Sequence, residues 1–247
     1  VILHSKELRV IVFPHAGGGR LFYKDFKNVF KHFEFSVIQY PGREEKYGID
    51  MPDTVYELAD ELFDEYKDWF RNGYVVWGHS MGSTVGYEVA KRCEEILHNS
   101  PIAFFSSGAS APCNPSTSKV RLSVDSDKDF EELMEQYGGI RDELRHNKDF
   151  CDYFYPIIRG DMKILSDYRD DEYIKLRCPV RLIEGTEDTC VIDKWKFYTD
   201  FDINVKYHNG GHFFINDYKQ EIADYIEKNA MEVRSRKMGT FVYNKIT

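Results

Sequence analysis

No stretch of this 247-residue chain stays apolar for long. The longest clean runs are a few residues, such as Tyr74-Val75-Val76-Trp77, far short of the ~20 residues that a membrane-spanning helix needs. The opening residues, Val1-Ile2-Leu3-His4-Ser5-Lys6, lack the charged-then-apolar pattern of a secretory signal. The five cysteines (Cys93, Cys113, Cys151, Cys178, Cys190) are odd in number and contain no C-x-x-C pair. Neither a disulfide framework nor a zinc ribbon is therefore expected, and a reducing, cytoplasmic setting is the simplest reading. Positive charge is also short. Lys and Arg number 33 against 42 Asp and Glu, a net charge of −9, which argues against a general nucleic-acid binder. Neither G-x-x-x-x-G-K-[ST] nor G-x-G-x-x-G occurs, so a nucleotide cradle is not expected. No metal site and no cofactor are expected, and a monomer is favoured.

What is present is a globular composition: 42 % apolar, 30 % charged and 15 % aromatic residues. A chain of this length buries roughly 70 % or more of the surface its unfolded form exposes, so it needs no covalent or metal staple. Short β-rich runs alternate with helix-period segments. Strands are expected at residues 8–14, 35–40, 74–77, 102–106, 179–184 and 203–207. Helices are expected at 55–70, with Thr54 and Glu57 spaced as a capping box, at 82–97, and at 215–228. This alternation implies a mostly parallel sheet covered on both faces, an α/β fold.

Residues 123–170 break the pattern. They carry no strand signal but three helical pieces, parted near Gly138-Gly139 and His146-Asn147 and kinked at Pro156. Their 7 basic and 13 acidic residues supply −6 of the net charge, most simply as a solvated outer face. The expected organisation is an α/β core over 1–122 and 171–230, a helical insertion over 123–170, and a loosely ordered tail over 231–247.

The chemistry begins at Gly78-His79-Ser80-Met81-Gly82. This G-x-S-x-G lies between a strand and a helix, the setting of a nucleophile elbow. The flanking glycines let strand and helix approach, and the helix N-terminus favours developing negative charge at Ser80. A serine hydroxyl needs a base, and in this architecture the order is Ser, acid, His. His212, in the glycine-rich loop Asn209-Gly210-Gly211-His212, is the expected base. His15 and His79 precede the acid and are expected to shape loops or line a pocket. The acid is expected just after the strand at 179–184. Asp188 is favoured, with Glu187 and Asp193 as alternatives. The Met81 N–H supplies one oxyanion donor. The loop His15-Ala16-Gly17-Gly18-Gly19 supplies the second, from Ala16 or, alternatively, Gly17.

Four segments occur in one order and spacing: Phe13-Pro14-His15-Ala16-Gly17-Gly18, Gln39-Tyr40-Pro41-Gly42-Arg43-Glu44, the Ser80 elbow, and Gly210-Gly211-His212-Phe213-Phe214. Together they resemble type II thioesterases, the editing thioesterases of non-ribosomal peptide and polyketide synthesis. Weaker echoes are Tyr137-Gly138-Gly139 and Pro156-Ile157-Ile158-Arg159-Gly160-Asp161. The resemblance covers roughly residues 8–228. It implies an α/β-hydrolase fold with a helical lid at 123–170, and hydrolysis of acyl thioesters on the phosphopantetheine arm of acyl or peptidyl carrier proteins. That arm belongs to the substrate. Ser80, Asp188 and His212 would form the triad, with Met81 and Ala16 as oxyanion donors. Two places depart from the family. It often has an acidic residue directly after the glycine where this chain reads Gly185-Thr186-Glu187-Asp188, and alanine is common where this chain has Gly160.

Phe130, Met134, Phe154 and Ile158 would either line the acyl site or pack the lid onto the core. Arg20, Lys24, Arg43 and Lys46 would offer a local docking patch for an acidic carrier, unless Arg43 makes an internal ion pair. The triad alone does not separate a thioesterase from a carboxylesterase or lipase, nor an editing enzyme from a chain-terminating one.

Overall fold

A computed structural model of the chain describes residues 8–115 and 118–243. Six strands, β1 (Arg9–Phe13), β2 (Glu34–Val37), β3 (Tyr74–His79), β4 (Phe104–Ser107), β5 (Val180–Gly185) and β6 (Asn204–His208), form one sheet in the order β2-β1-β3-β4-β5-β6. Every neighbouring pair is parallel. Parallel strands need crossovers, and these place helices on both faces, so the inner strands β1, β3, β4 and β5 are buried on both sides. Alternate residues serve opposite layers. Ile11, Phe13, Tyr74 and Val76 pack with α2 (Val55–Tyr66) and α3 (Met81–Ile96). Val10, Val12, Val75 and Trp77 pack with Tyr23 of α1 (Arg20–Tyr23), with Phe26 just after it, and with Ile222 and Ile226 of α8 (Lys219–Tyr243).

Helix α2 starts at a side-chain cap. Thr54 Oγ1 accepts the Glu57 N–H at 3.1 Å, and Glu57 Oε2 accepts the Asp53 N–H at 3.1 Å, the reciprocal bonding of a capping box. Between β4 and β5 lie α4 (Ser118–Asp125), α5 (Asp127–Tyr137), α6 (Asp142–Arg145) and α7 (Lys148–Asp167). Helix α5 ends at Gly138, which takes φ 68°, and Asn147 caps α7 by accepting the Phe150 N–H. These are the two expected breaks.

The structure differs from the sequence expectation in three places. Helix α7 runs unbroken through Pro156 into the stretch expected as a third helix. Ile158 and Met162 on it pack among the insert helices, while Ile164 and Leu165 pack in the main core, so anchorage at both ends outweighs the one hydrogen bond that proline removes. Strand β2 stops at Val37. The chain turns off the sheet after Ile38, whose N–H still donates to Val12 O at 2.9 Å. Helix α8 starts at Lys219 and continues to Tyr243, so most of the segment expected as a loose tail is helical backbone. Residues 1–7 and 244–247, which include the outer ends of the expected core and tail, lie outside the described residues.

Candidate active site

The strand-to-helix turn at the carboxyl end of β3 is built around two close approaches. A Cβ on Gly78 would lie 2.4 Å from Gly82 O, and one on Gly82 would lie 1.9 Å from Phe13 O. Only glycine permits β3, α3 and β1 to converge so tightly. Ser80 pays with a φ of 55° and ψ of −122°, a backbone region that non-glycine residues occupy at functional sites. Its N–H is tied to Ser107 O of β4 at 2.8 Å. The side chain is thus held at the tip of the turn, over the start of α3.

His212 reaches this point from the loop after β6. Its Nε2 lies 2.9 Å from Ser80 Oγ, and its Nδ1 lies 2.8 Å from Asp188 Oδ2. Asp188 sits on the turn after β5, with its N–H on Gly185 O at 3.1 Å. The side chains of His212 and Asp188 are 7 % and 4 % exposed. Burial pushes the Asp188 carboxyl upward. The hydrogen bond and charge of His212, the Thr189 N–H and the Cys190 thiol outweigh it and hold the acid below its ordinary range. The alternatives Glu187 and Asp193 are both exposed.

The other two imidazoles near the site serve differently. His79 donates its Nδ1 proton to Ser107 O at 3.1 Å. Burial, and then the nearby His212 and His15, push its pKa far down. His15 lies 2.9 Å from Tyr23 Oη through Nδ1. Its pKa is lowered to about 3 by burial, His212 and Arg43. Both rings are therefore neutral spacers around His212. In the loop after β1, the Gly17 N–H donates to Asp161 Oδ2 at 2.7 Å and the Gly18 N–H to His15 O at 2.8 Å. Gly17 is thereby committed elsewhere, which leaves Ala16, beside Ser80 in the cavity wall, as the loop's candidate donor. The Met81 N–H, at the first turn of α3, has no intrahelical partner.

The family model for the thioesterase domain matches residues 8–230. The chain belongs to this thioesterase family. It is a hydrolase acting on thioesters. It is 26 % identical over 236 residues to the thioesterase PikA5 of Streptomyces venezuelae, covering 93 % of this chain and 83 % of PikA5. It is 28 % identical over 222 residues to phenyloxazoline synthase MbtB of Mycobacterium tuberculosis, covering 87 % of this chain but 15 % of that much longer protein. Among solved structures it resembles YbtT, a type II thioesterase from the yersiniabactin NRPS/PKS biosynthetic pathway. The TM-score is 0.80 at 23 % identity, over 92 % of this chain and 94 % of YbtT.

In this thioesterase a cavity of about 440 Å³ opens beside Ser80 and His212, under the helices between β4 and β5. Met134, Phe154 and Ile158 line it, together with Phe150, Tyr153 and Met162. Phe130 does not. It is 0 % exposed and packs among the helices, with Tyr155 edge-on and the Arg159 guanidinium 4.0 Å from its ring centre. Its helical face was legible, but which neighbour that face meets was not. Sequence reasoning also missed Tyr137, whose ring stacks on His212 at 4.5 Å. Its signals were the Tyr137-Gly138-Gly139 echo and its place on the same helical face as Phe130, Leu133 and Met134.

The four residues of the expected basic docking patch differ in their settings. Arg43 is buried in an ion pair with Asp161, the internal alternative. Arg20 is bound to Val37 O and lies 3.5 Å from Glu45, and Lys46 pairs with Glu65. Lys24 remains exposed. No helix among the described residues is long and apolar enough to cross a membrane. Asp188, Cys190 and His212 bring three metal-ligand atoms within 4.8 Å of one another. Their chemistry suits a triad better than an ion: Asp188 and His212 are bonded to each other, and burial, followed by the Asp188 and Glu184 charges, pushes the Cys190 thiol up and disfavours the thiolate a metal requires.

Proposed function

We propose that this thioesterase is of the type II, editing class and clears acyl groups from the phosphopantetheine arm of carrier proteins of a non-ribosomal peptide or polyketide synthase. The serine-hydrolase chemistry is carried by the unbroken chain Asp188–His212–Ser80, with bonds of 2.8 and 2.9 Å, at the floor of an apolar cavity, and the thioester class by the family match over residues 8–230. Similarity across most of PikA5 and YbtT supports it. In this reading the described residues of 1–122 and 171–230 form the hydrolase core, 123–170 form the lid, and Met134, Phe154 and Ile158 contact the acyl chain.

The mechanism follows from the geometry. His212 Nε2 takes the Ser80 proton as Oγ attacks the thioester carbonyl. The Met81 and Ala16 N–H groups hold the resulting oxyanion, and Asp188 stabilises the imidazolium. His212 returns the proton to the departing thiol, leaving acyl-Ser80. Water, deprotonated by His212, attacks that ester, and Ser80 leaves with the proton as the free acid forms. A second hollow of about 50 Å³, lined by Ser80, Asp188 and His212, has room for that water.

The test is hydrolysis of a panel of acyl-carrier proteins, from acetyl to long-chain, beside oxygen esters of the same acyl groups, with Ser80→Ala as control. Preference for carrier thioesters, lost in the control, is expected. Faster turnover of the free oxygen esters would instead identify a carboxylesterase. Full turnover by Ser80→Ala would overturn the mechanism.

A further inference from the structure

Helix α7 reaches the loop after β1 through buried contacts. Asp161 Oδ2 accepts the Gly17 N–H at 2.7 Å. Ile158 fills the space over Gly17, where a Cβ would lie 2.4 Å from Ile158 Cγ1. Asp161 is gripped in turn by Arg43, Nη1 to Oδ2 and Nη2 to Oδ1, each at 2.6 Å. Arg43 also donates to Gly18 O and to Pro41 O, both at 3.2 Å. The two charged side chains are 3 % and 1 % exposed. Desolvating such a pair cancels most of its attraction, so its stabilising value is small. What it does provide is placement. Two of its remaining bonds run to the backbone of residues 17 and 18, next to Ala16.

We propose that Asp161, backed by Arg43, is a positioning residue for the oxyanion site: it fixes Gly17 and Gly18 so that the Ala16 N–H stays aimed at the carbonyl bound over Ser80, and this site is complete only while α7 is seated on the loop. The inference rests on reading Ser80 as nucleophile and Ala16 as donor. Gly17 has φ +77°, and a glycine-rich loop does not hold its shape by its own torsions. Outside anchors must supply the precision, since a misplacement of about 1 Å costs on the order of 10²-fold in rate. Both anchors, Asp161 and Ile158, belong to α7. Seating of α7 on the loop and completion of the oxyanion site are thereby one event.

Two double variants separate the loop contact from the ion pair. Arg43→Met with Asp161→Leu removes the pair and strips Gly17 of its acceptor. Arg43→Gln with Asp161→Asn also removes both charges but keeps an amide oxygen within reach of Gly17. Neither strands a lone buried charge. The apolar pair is expected to lose about 10- to 100-fold in kcat with KM changed by less than about 3-fold. It should lose a similar factor in affinity for an acyl trifluoromethyl ketone, whose adduct with Ser80 carries an oxyanion. The amide pair should stay within about 5-fold of the unmodified protein in both readings. Equal losses in the two variants, or a raised KM with kcat intact, would overturn the proposal. If the apolar pair does not fold, Arg43→Gln with Asp161→Ser, whose hydroxyl is too short to reach Gly17, replaces it under the same criteria. Fluorophosphonate labelling of the unmodified protein tests the underlying reading separately. Absence of label on Ser80 sinks the nucleophile assignment, whereas labelling with equal variant losses sinks only the role of Asp161.

Discussion

Around Ser80 the main chain leaves no room: a Cβ on Gly82 would sit 1.9 Å from Phe13 O. On α7 a Cβ at Gly160 would meet nothing within 4 Å. The elbow is held by backbone against backbone, at the junction of two strands and a helix. The helices between β4 and β5 are held by side chains instead. They have a small cluster of their own, which includes Phe130, Leu133, Met134 and Met162, and the Arg43–Asp161 pair ties them to the core. Backbone contacts admit almost no drift, whereas side-chain contacts can be exchanged without moving the sheet. The contrast separates where the chemistry is fixed from where substrate range can change.

The sharpest probe of the rigid region is its hydroxyl. Ser80→Ala is expected to lower kcat by about 10⁴-fold or more, while its unfolding midpoint in urea stays near that of the unmodified protein. A collapse in stability would mean that Ser80 serves the fold as well. Gly82→Ala probes the same region sterically. It should cost about 3 kcal/mol, read from urea unfolding, and a cost near zero would break the claim that the elbow is incompressible.

Glu184 gives a pH test from the same end of β5. Burial, and then the Asp188 charge, raise its carboxyl to about 9. The folded protein keeps this proton up to about pH 9, while the unfolded chain releases it near its ordinary value of 4.5. Stability from this group is therefore lost as pH rises between those values. Glu184→Gln, which has no such proton, should flatten that fall by on the order of 4 kcal/mol between pH 5 and 8. An unchanged slope in unfolding curves across that range would remove Glu184 as the cause.

Smaller effects belong to the helices. Phe154→Ala should lower kcat/KM for long acyl chains by about 10-fold and leave acetyl hydrolysis nearly unchanged. A uniform loss across chain lengths would return Phe154 to a packing role. Gly160→Ala should raise stability by about 0.5–1 kcal/mol, the reverse of Gly82→Ala. No shift in melting temperature would show that α7 unfolds independently of the sheet.

Much of the site was legible because its constraints are short-range. The spacing of Gly78, Ser80 and Gly82 encodes a turn within five residues, and the apolar runs around it mark strand and helix. Chain order then pointed to His212 and to an acid after β5, where Glu187 and Asp193 stayed open beside Asp188 until the fold bonded Asp188 to His212. The run through Pro156, the early end of β2 and the inward turn of Phe130 were not legible, because each depends on a neighbour from elsewhere in the chain. Arg43 shows the limit most plainly. Its sequence setting allowed a surface cation or a buried partner, and only the fold brings Asp161, 118 positions away, against it.

The sequence by itself determined the parallel α/β architecture, the elbow and the residues that could meet there, since periodicity and small-residue spacing act locally. Tertiary structure alone decided which face of α5 met the cavity, that Tyr137 covers His212, and that Asp161 rather than solvent receives the Gly17 amide. Those outcomes depend on packing between segments far apart in the chain, where burial sets the value of each contact.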